Sequence, residues 1–227
     1  MLVVMEGLDG SGKSTQVANL RKYLESLSGT VEYIHFPRYD APLYGELIGK
    51  FLRGGFGDIN DVHPQLVALL YAEDRHGACD EMKRALASGG TLLLDRYVYS
   101  NVAYQCAKIK DPGEREALRE WILNTEFGLF GLPRPDLNIF LDVPIGFVES
   151  KLTSSRKGND REYLSSGSRD IHEANIEFQK AVREVYARQA SLDPRFIRID
   201  CSAPDGSMLP QEVVSEKVRE VTDKYIH

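Results

Sequence analysis

The pattern GxxxxGKS, present as GLDGSGKS at residues 7–14, constrains the fold more than any other feature of the chain. It follows the apolar run 2–5 and precedes a helical pattern at 13–27, the strand–turn–helix context that it requires. Backbone N–H groups converge in such a loop, and the helix N-terminus adds the positive end of its dipole. The sequence therefore predicts binding of a nucleoside triphosphate through Gly7, Leu8, Asp9, Gly10, Ser11, Gly12, Lys13, Ser14 and Thr15.

Two side chains of this loop carry the chemistry. Lys13 would reach the β and γ phosphates as a point charge, and the Ser14 hydroxyl would ligate Mg²⁺. The predicted cofactor is therefore magnesium, with ATP as the phosphoryl donor. The loop alone does not determine what becomes of the γ phosphate.

Four further apolar runs, at 31–36, 91–95, 137–143 and 195–200, predict four more strands. Helical periodicity separates them, at about 64–88, 97–108, 113–126, 145–155, 170–190 and 211–225. Strands separated by helices favour right-handed crossovers and a parallel sheet. We expect an α/β three-layer sandwich, in which a parallel five-stranded sheet is flanked by helices and residues 1–227 form one domain.

Composition excludes several classes of protein. The net charge of −6 lacks the basic face that general nucleic-acid binding requires, so we expect no nucleic-acid partner. No apolar run is long enough to cross a bilayer, and the apolar N-terminal run is too short for a secretory signal, so we expect no membrane partner and a cytoplasmic location. The three cysteines have no CxxC spacing, which indicates reduced thiols.

Three classes of P-loop protein compete. A GTPase would carry NKxD, and the sequence contains no Asn-Lys pair. A remodelling ATPase usually brings a second domain. A kinase needs a second anion site. Its candidates are Arg75 and the triplets 36–38 (Phe-Pro-Arg) and 95–97 (Asp-Arg-Tyr). Both triplets lie at the carboxyl ends of predicted parallel strands, where open α/β sheets bind ligands.

Five segments taken together resemble the thymidylate kinases: EGLDGSGKST at 6–15, FPR at 36–38, LLYAEDR at 69–75, DRYVYSNVAYQ at 95–105 and LPRPDLNIFLDV at 132–143. The resemblance implies transfer of a phosphoryl group from ATP to dTMP, giving ADP and dTDP for dTTP biosynthesis, by a homodimer. Another deoxynucleoside or nucleoside-monophosphate kinase is the alternative enzyme. A P-loop protein that holds nucleotide without phosphorylating an acceptor is the alternative outside enzymes.

The resemblance also implies roles for the phosphate-binding residues. Arg96 would span the donor γ phosphate and the acceptor phosphate. Arg38 would clamp the acceptor phosphate, and Phe36 and Pro37 of the same triplet would also bind the substrate. Asp9 would hold the sugar 3′-hydroxyl and help to order magnesium.

A second group would form the acceptor pocket. By resemblance, Tyr71 stacks on the base where the family usually has Phe, Arg75 approaches the base O4, and Tyr104 fills the space at C2′. Ser100, Tyr104 and Gln105 share a helical face with Asn101 adjacent, and amides and hydroxyls suit a buried pyrimidine. The base-reading role stays open between Asn101 and Gln105.

This sequence has Gly10 at a P-loop position where one branch of the thymidylate kinases has an arginine that reaches the γ phosphate. The other branch takes that cation from a mobile lid. Residues 151–169 contain five Lys or Arg against two carboxylates, so a short lid is expected at approximately 151–170. Its candidate cations are Arg156, Arg161 and Arg169; Asp170 and Glu173 could support magnesium or the lid hinge.

Overall fold

The strands form one parallel sheet of five, in the order β2-β3-β1-β4-β5. The computed structural model describes residues 1–27, 29–58, 60–153 and 176–226. The strands are β1 (Leu2–Gly7), β2 (Val31–His35), β3 (Thr91–Asp95), β4 (Leu137–Asp142) and β5 (Phe196–Asp200). The predicted α/β fold with a five-stranded parallel sheet is confirmed.

The described helices connect these strands. They are α1 (Lys13–Ser26), α2 (Tyr44–Leu52), α3 (Pro64–Gly77), α4 (Cys79–Ala87), α5 (Val98–Cys106), α6 (Pro112–Leu123), α7 (Ile145–Thr153), α8 (Ile176–Leu192) and α9 (Gln211–Asp223). A π-helix, Asn124–Leu129, continues directly from α6. Among the described residues, none of these helices has both the length and the apolar character that crossing a bilayer requires.

Three details differ from the sequence prediction. Helix α2 was not predicted, because it is short and two glycines, Gly45 and Gly49, interrupt its pattern. The single helix predicted at 64–88 is two helices, since the backbone at Ala78 leaves the helical region at φ −98° and ψ 0°. The end of the helix predicted at 113–126 lies in the π-helix.

The sheet is buried on both faces at its centre. Every residue of β1 and β4 is buried, as parallel strands covered by helices on both sides require. Helix α1 packs on α9, while α5 packs on α3, α6 and α8. β1 lies between β3 and β4, where the chain order reverses, so the carboxyl ends of β1 and β3 open onto a crevice suited to a ligand.

Helix α2 supports the loop after β2 by close backbone packing. A Cβ atom on Gly45 would lie 2.5 Å from the Arg38 carbonyl oxygen and 2.6 Å from that of Tyr39. Because no side chain fits there, glycine lets α2 press against the loop that carries Arg38. The expected lid at approximately 151–170 lies outside the described residues from 154 onward, as do Arg156, Arg161, Arg169, Asp170 and Glu173.

Candidate active site

The P-loop turns directly from β1 into α1. Gly10 and Gly12 adopt positive φ angles of 75° and 85°, a conformation that favours glycine. The Lys13 ammonium folds back over the loop and donates to the Leu8 carbonyl oxygen at 2.8 Å. Burial and the charge of Arg96 lower the pKa of Lys13 to about 8, although the nearby carboxylates favour a higher value.

Two clefts meet at this loop. The P-loop cleft is lined by the predicted loop residues from Asp9 to Thr15, and also by His35, Asp95, Phe147, Met208 and Leu209. The inner cleft lies deeper, between the end of β2, α3 and α5. Most of the predicted acceptor residues line it together: Asp9, Phe36, Pro37, Tyr71, Arg75, Arg96, Ser100, Asn101, Tyr104 and Gln105, with Tyr39 and Leu52 added.

Arg96 and Asp9 line both clefts and bond to each other. Arg96 Nη2 donates to Asp9 Oδ1 at 2.5 Å, and Arg96 Nη1 donates to the Gly7 carbonyl oxygen at 3.1 Å. The Tyr104 hydroxyl donates to Asp9 Oδ2 at 2.8 Å, and Gln179 Nε2, from α8, donates to the same oxygen at 3.2 Å. This network holds the guanidinium at the boundary between the two clefts.

Glu6, a residue without a predicted role, anchors the helix that follows Arg96. Its carboxylate is fully buried and accepts from the backbone N–H groups of Tyr97 at 3.0 Å and Ser100 at 3.1 Å. The hydroxyls of Ser100 and Tyr186 also donate to it. Burial raises the pKa of Glu6, and these hydrogen bonds and Arg96 oppose that shift. Since no side chain at Tyr97 caps α5, Glu6 takes the role of a cap from another element.

Arg38 is fixed by a buried carboxylate of α3. The Asp74 side chain accepts from the Arg38 backbone N–H at 2.9 Å and from Arg38 Nε at 3.1 Å, while the Asp74 carbonyl oxygen accepts from Arg38 Nη2 at 2.5 Å. Burial raises the pKa of Asp74 despite these bonds. Arg38 is absent from the inner-cleft lining, although its neighbours Phe36 and Pro37 are part of it.

Arg75 is fully buried and paired with Glu126 of the π-helix. Arg75 Nε and Nη2 donate to the two Glu126 oxygens at 2.5 and 2.7 Å. Asn101 Nδ2 donates to Glu126 Oε1 and to the Ala68 carbonyl oxygen, both at 2.9 Å. Gln105 Oε1 accepts from Lys108 Nζ at 2.9 Å. The structure therefore brings Arg75, Asn101 and Gln105 to the same wall of the inner cleft.

Asp95 gives a carboxylate to the P-loop cleft, which Ser14 also lines. Its Oδ1 atom is buried without a hydrogen-bond partner among the described residues, and Oδ2 lies 3.4 Å from His35 Nδ1. Burial would raise the pKa of Asp95, but His35 and the charges of Lys13 and Arg96 hold it below its usual value. An unpartnered carboxylate oxygen in a cleft that binds phosphates suits Mg²⁺, which typically takes one or two carboxylates together with phosphate oxygens and water.

Sequence reasoning gave no role to Glu6, Asp74, Asp95 or Glu126. One signal was available for two of them: Glu6 and Asp95 are single carboxylates in otherwise apolar buried strands, and a buried carboxylate is costly unless it has partners. Asp74 and Glu126 lie in helices without such a contrast, and only the tertiary contacts identify them.

Comparisons with known proteins agree with one another. A family model described as thymidylate kinase matches residues 5–209. A thymidylate kinase from Mycobacterium tuberculosis is 31% identical over 192 residues, 84% of this chain and 86% of the relative. A probable thymidylate kinase from Thermococcus gammatolerans is 35% identical over 204 residues, 88% of this chain and 86% of the relative. The solved structure of thymidylate kinase from Candida albicans matches with a TM-score of 0.71 at 26% identity, over 98% of this chain and 91% of that one.

Replacing Glu6 with alanine should lower the free energy of unfolding by about 1–3 kcal/mol, because the buried N–H groups of Tyr97 and Ser100 lose their acceptor. Equilibrium unfolding in urea measures the change. Glu32→Ala, on the exposed part of β2, is the matched control and should have little effect. A loss no larger than that of the control would contradict the anchoring role of Glu6.

Proposed function

The chain belongs to the thymidylate kinase family, and on that premise we propose that it transfers the γ-phosphoryl group of ATP to dTMP, giving ADP and dTDP for dTTP synthesis. The observation that carries the proposal is the shared boundary of the two clefts. Asp9 and Arg96 line both the P-loop cleft and the inner cleft. A donor phosphate in the first cleft and an acceptor phosphate in the second would therefore meet at one guanidinium.

The proposed chemistry requires no nucleophilic side chain. An oxygen of the dTMP phosphate attacks the γ phosphorus of ATP in line, and the bond to the β–γ bridging oxygen breaks as ADP leaves. Arg96 is catalytic because its guanidinium bridges both anions, offsets their repulsion and stabilises the charge of the group in transfer. Lys13 neutralises the β and γ phosphates, so nucleotide binding would draw its ammonium from the Leu8 carbonyl oxygen toward the phosphates.

The inner cleft would hold dTMP. Phe36, Pro37 and Leu52 contribute apolar walls, and Tyr71 offers an aromatic face for the base. Arg38 would clamp the acceptor phosphate from the loop after β2, where Asp74 orients it. Asp9 would accept a hydrogen bond from the sugar 3′-hydroxyl.

Magnesium fits the P-loop cleft. Ser14 and Asp9 are its proposed protein partners, as the sequence predicted, and the unpartnered Oδ1 of Asp95 makes that residue a third. When bound with ATP, Mg²⁺ neutralises charge on the β and γ phosphate oxygens. Among the described residues no three His, Cys, Asp or Glu side chains form a metal cage. Mg²⁺ typically needs only one or two carboxylates beside phosphate oxygens and water.

The lid arginines Arg156 and Arg161 are kept in the proposal as catalytic residues, with Arg169 as a further candidate; all three lie outside the described residues. Position 10 of the P-loop does not supply this charge, because Gly10 has no side chain where one branch of the family has an arginine. The homodimer and the cytoplasmic location also stay predictions.

A coupled assay of ADP release with ATP and magnesium tests the proposal. We expect turnover with dTMP to exceed turnover with dCMP and with thymidine, because the arginines require a phosphate and the pocket requires a thymine-like base. Faster turnover with thymidine than with dTMP would favour a deoxynucleoside kinase. Binding of ATP without turnover of any acceptor would favour a nucleotide-binding protein.

Replacing Arg96 with alanine should reduce kcat by about 10³ to 10⁵, as losing an arginine that stabilises a transferring phosphoryl group typically does. Stopped-assay kinetics with saturating dTMP measure the change, and circular dichroism checks the fold. Arg219→Ala, on the exposed face of α9, is the matched control and should keep normal turnover. If the Arg96 variant keeps more than a tenth of the control's turnover, Arg96 is not catalytic.

The unmodified enzyme should prefer dTMP over its ribose counterpart, because the Tyr104 ring is expected to fill the space at C2′. Tyr104→Ala should narrow this preference by opening that space. Tyr104→Phe is the matched control: it loses the bond to Asp9 but keeps the ring, so it should keep the preference. Equal kcat/KM for the ribose and deoxyribose acceptors in the unmodified enzyme would exclude this role for Tyr104.

A further inference from the structure

A buried polar cluster lies behind the base end of the inner cleft. Its members are Arg75, Asn101 and Glu126, with exposed fractions of 2%, 3% and 0%. Burying such groups is unfavourable unless their hydrogen bonds are made, and here almost all of them are. The exception is Asn101 Oδ1, which is buried and has no hydrogen-bond partner among the described residues.

The neighbours of Asn101 determine how its amide is turned. Its Nδ2 group donates to two acceptors, the Ala68 carbonyl oxygen and Glu126 Oε1. Rotating the amide by half a turn would place its oxygen against both acceptors and lose both bonds. Asn101 therefore keeps Oδ1 as the atom left for a ligand, and that atom can only accept a hydrogen bond.

The other polar groups of this wall are left as donors. Arg75 donates to Glu126 through Nε and Nη2, so its Nη1 group remains to donate to a ligand. Gln105 accepts from Lys108 through Oε1, so its Nε2 group remains to donate to a ligand. The wall thus offers one acceptor and two donors, which matches the N3–H and the two carbonyl groups of thymine or uracil. Cytosine has an acceptor at N3, so its ring nitrogen would face Asn101 Oδ1 without a hydrogen bond between them.

We propose that Glu126 is a positioning residue that sets the base selectivity of the cleft by holding the Asn101 amide with its oxygen available to the acceptor base. This inference rests on the proposed function, since it assumes that the inner cleft receives a nucleoside monophosphate. It assigns the N3–H of the base to Asn101 and a carbonyl group to Gln105. Glu126 itself need not touch the substrate.

A carboxylate is required at position 126 because three donors converge on it. Arg75 supplies two N–H groups and Asn101 supplies one. A glutamine would present one oxygen and one NH₂ group, and that NH₂ group would face a donor of Arg75 or of Asn101. Where the NH₂ group faces Asn101, only the Ala68 carbonyl oxygen still holds the Asn101 amide. A rotated amide would present Nδ2 to the base and suit the N3 acceptor of cytosine.

The π-helix explains how the chain delivers Glu126 to this cluster. The Phe130 N–H donates to the Thr125 carbonyl oxygen at 2.8 Å, a bond spanning five residues. The wider turn places three consecutive side chains, Thr125, Glu126 and Phe127, in buried positions. π-helical turns are rare and occur frequently at functional sites, which agrees with a role for Glu126 in recognition.

The test compares kcat/KM for dTMP, dUMP and dCMP in the unmodified enzyme and in Glu126→Gln. We expect the dTMP:dCMP ratio to fall about tenfold or more in the variant, the effect of one lost or mispaired buried hydrogen bond. The dTMP:dUMP ratio should stay nearly constant, because these two bases share the same N3–H edge and differ only in a methyl group. A general loss of structure would not separate the two ratios in this way.

Asp142→Asn is the matched control. Asp142 is also a buried carboxylate paired with arginines, Arg183 and Arg198, but it lies outside the inner cleft. This variant should lose stability while both ratios stay unchanged. If Glu126→Gln is too unstable to assay, Glu126→Asp provides a second test. Its shorter side chain weakens the bond that orients Asn101, so the dTMP:dCMP ratio should fall in the same direction by a smaller factor.

The outcomes separate the two proposals. An unmodified enzyme that does not phosphorylate dTMP contradicts the proposed function. An enzyme that prefers dTMP over dCMP, with the same ratio in a folded Glu126 variant, overturns the role of Glu126 and leaves the proposed function standing. An unmodified enzyme that uses dCMP as well as dTMP also overturns the inference, since the acceptor at Asn101 would then not discriminate.

Discussion

The hydrogen-bonded ion pair between Arg96 and Asp9 is the contact on which the site depends. It joins the residue after β3 to the loop after β1, and both partners line both clefts. Glu6 fixes the start of α5 directly after Arg96, while Tyr104 and Gln179 donate to Asp9 from α5 and α8. Because four elements converge on one pair, the position of the guanidinium is determined by the fold.

The same principle recurs at the other arginines of the site. Arg38 is held by Asp74 and Arg75 by Glu126, and in each case the carboxylate is fully buried. Taking such charges out of water is unfavourable, so the pairs are weak evidence for stability. They do fix the geometry of both guanidinium groups before a ligand arrives. The buried ion pairs therefore preorganise the charges of the site, whether or not they add to the stability of the fold.

The extent to which the fold could be predicted depended on the kind of signal. The five strands were recognisable as short apolar runs, because strands buried on both faces must be apolar throughout. Helix α2 was missed because its two glycines obscure the periodicity. The break at Ala78 was missed although Gly77, a residue type that commonly ends helices, directly precedes it. The π-helix could not be predicted, since its wider turn follows from packing and from the bond between Thr125 and Phe130.

The sequence by itself determined the phosphate loop, the parallel α/β architecture and the family, because these depend on local patterns: glycine spacing, apolar runs and ordered motifs. It also placed the predicted residues of the inner cleft directly after strands and on two helices. Only the tertiary structure decided how they are used. The partners of Arg38, Arg75 and Asn101 come from segments far away in the chain, and the direction in which an amide or guanidinium points depends on those partners.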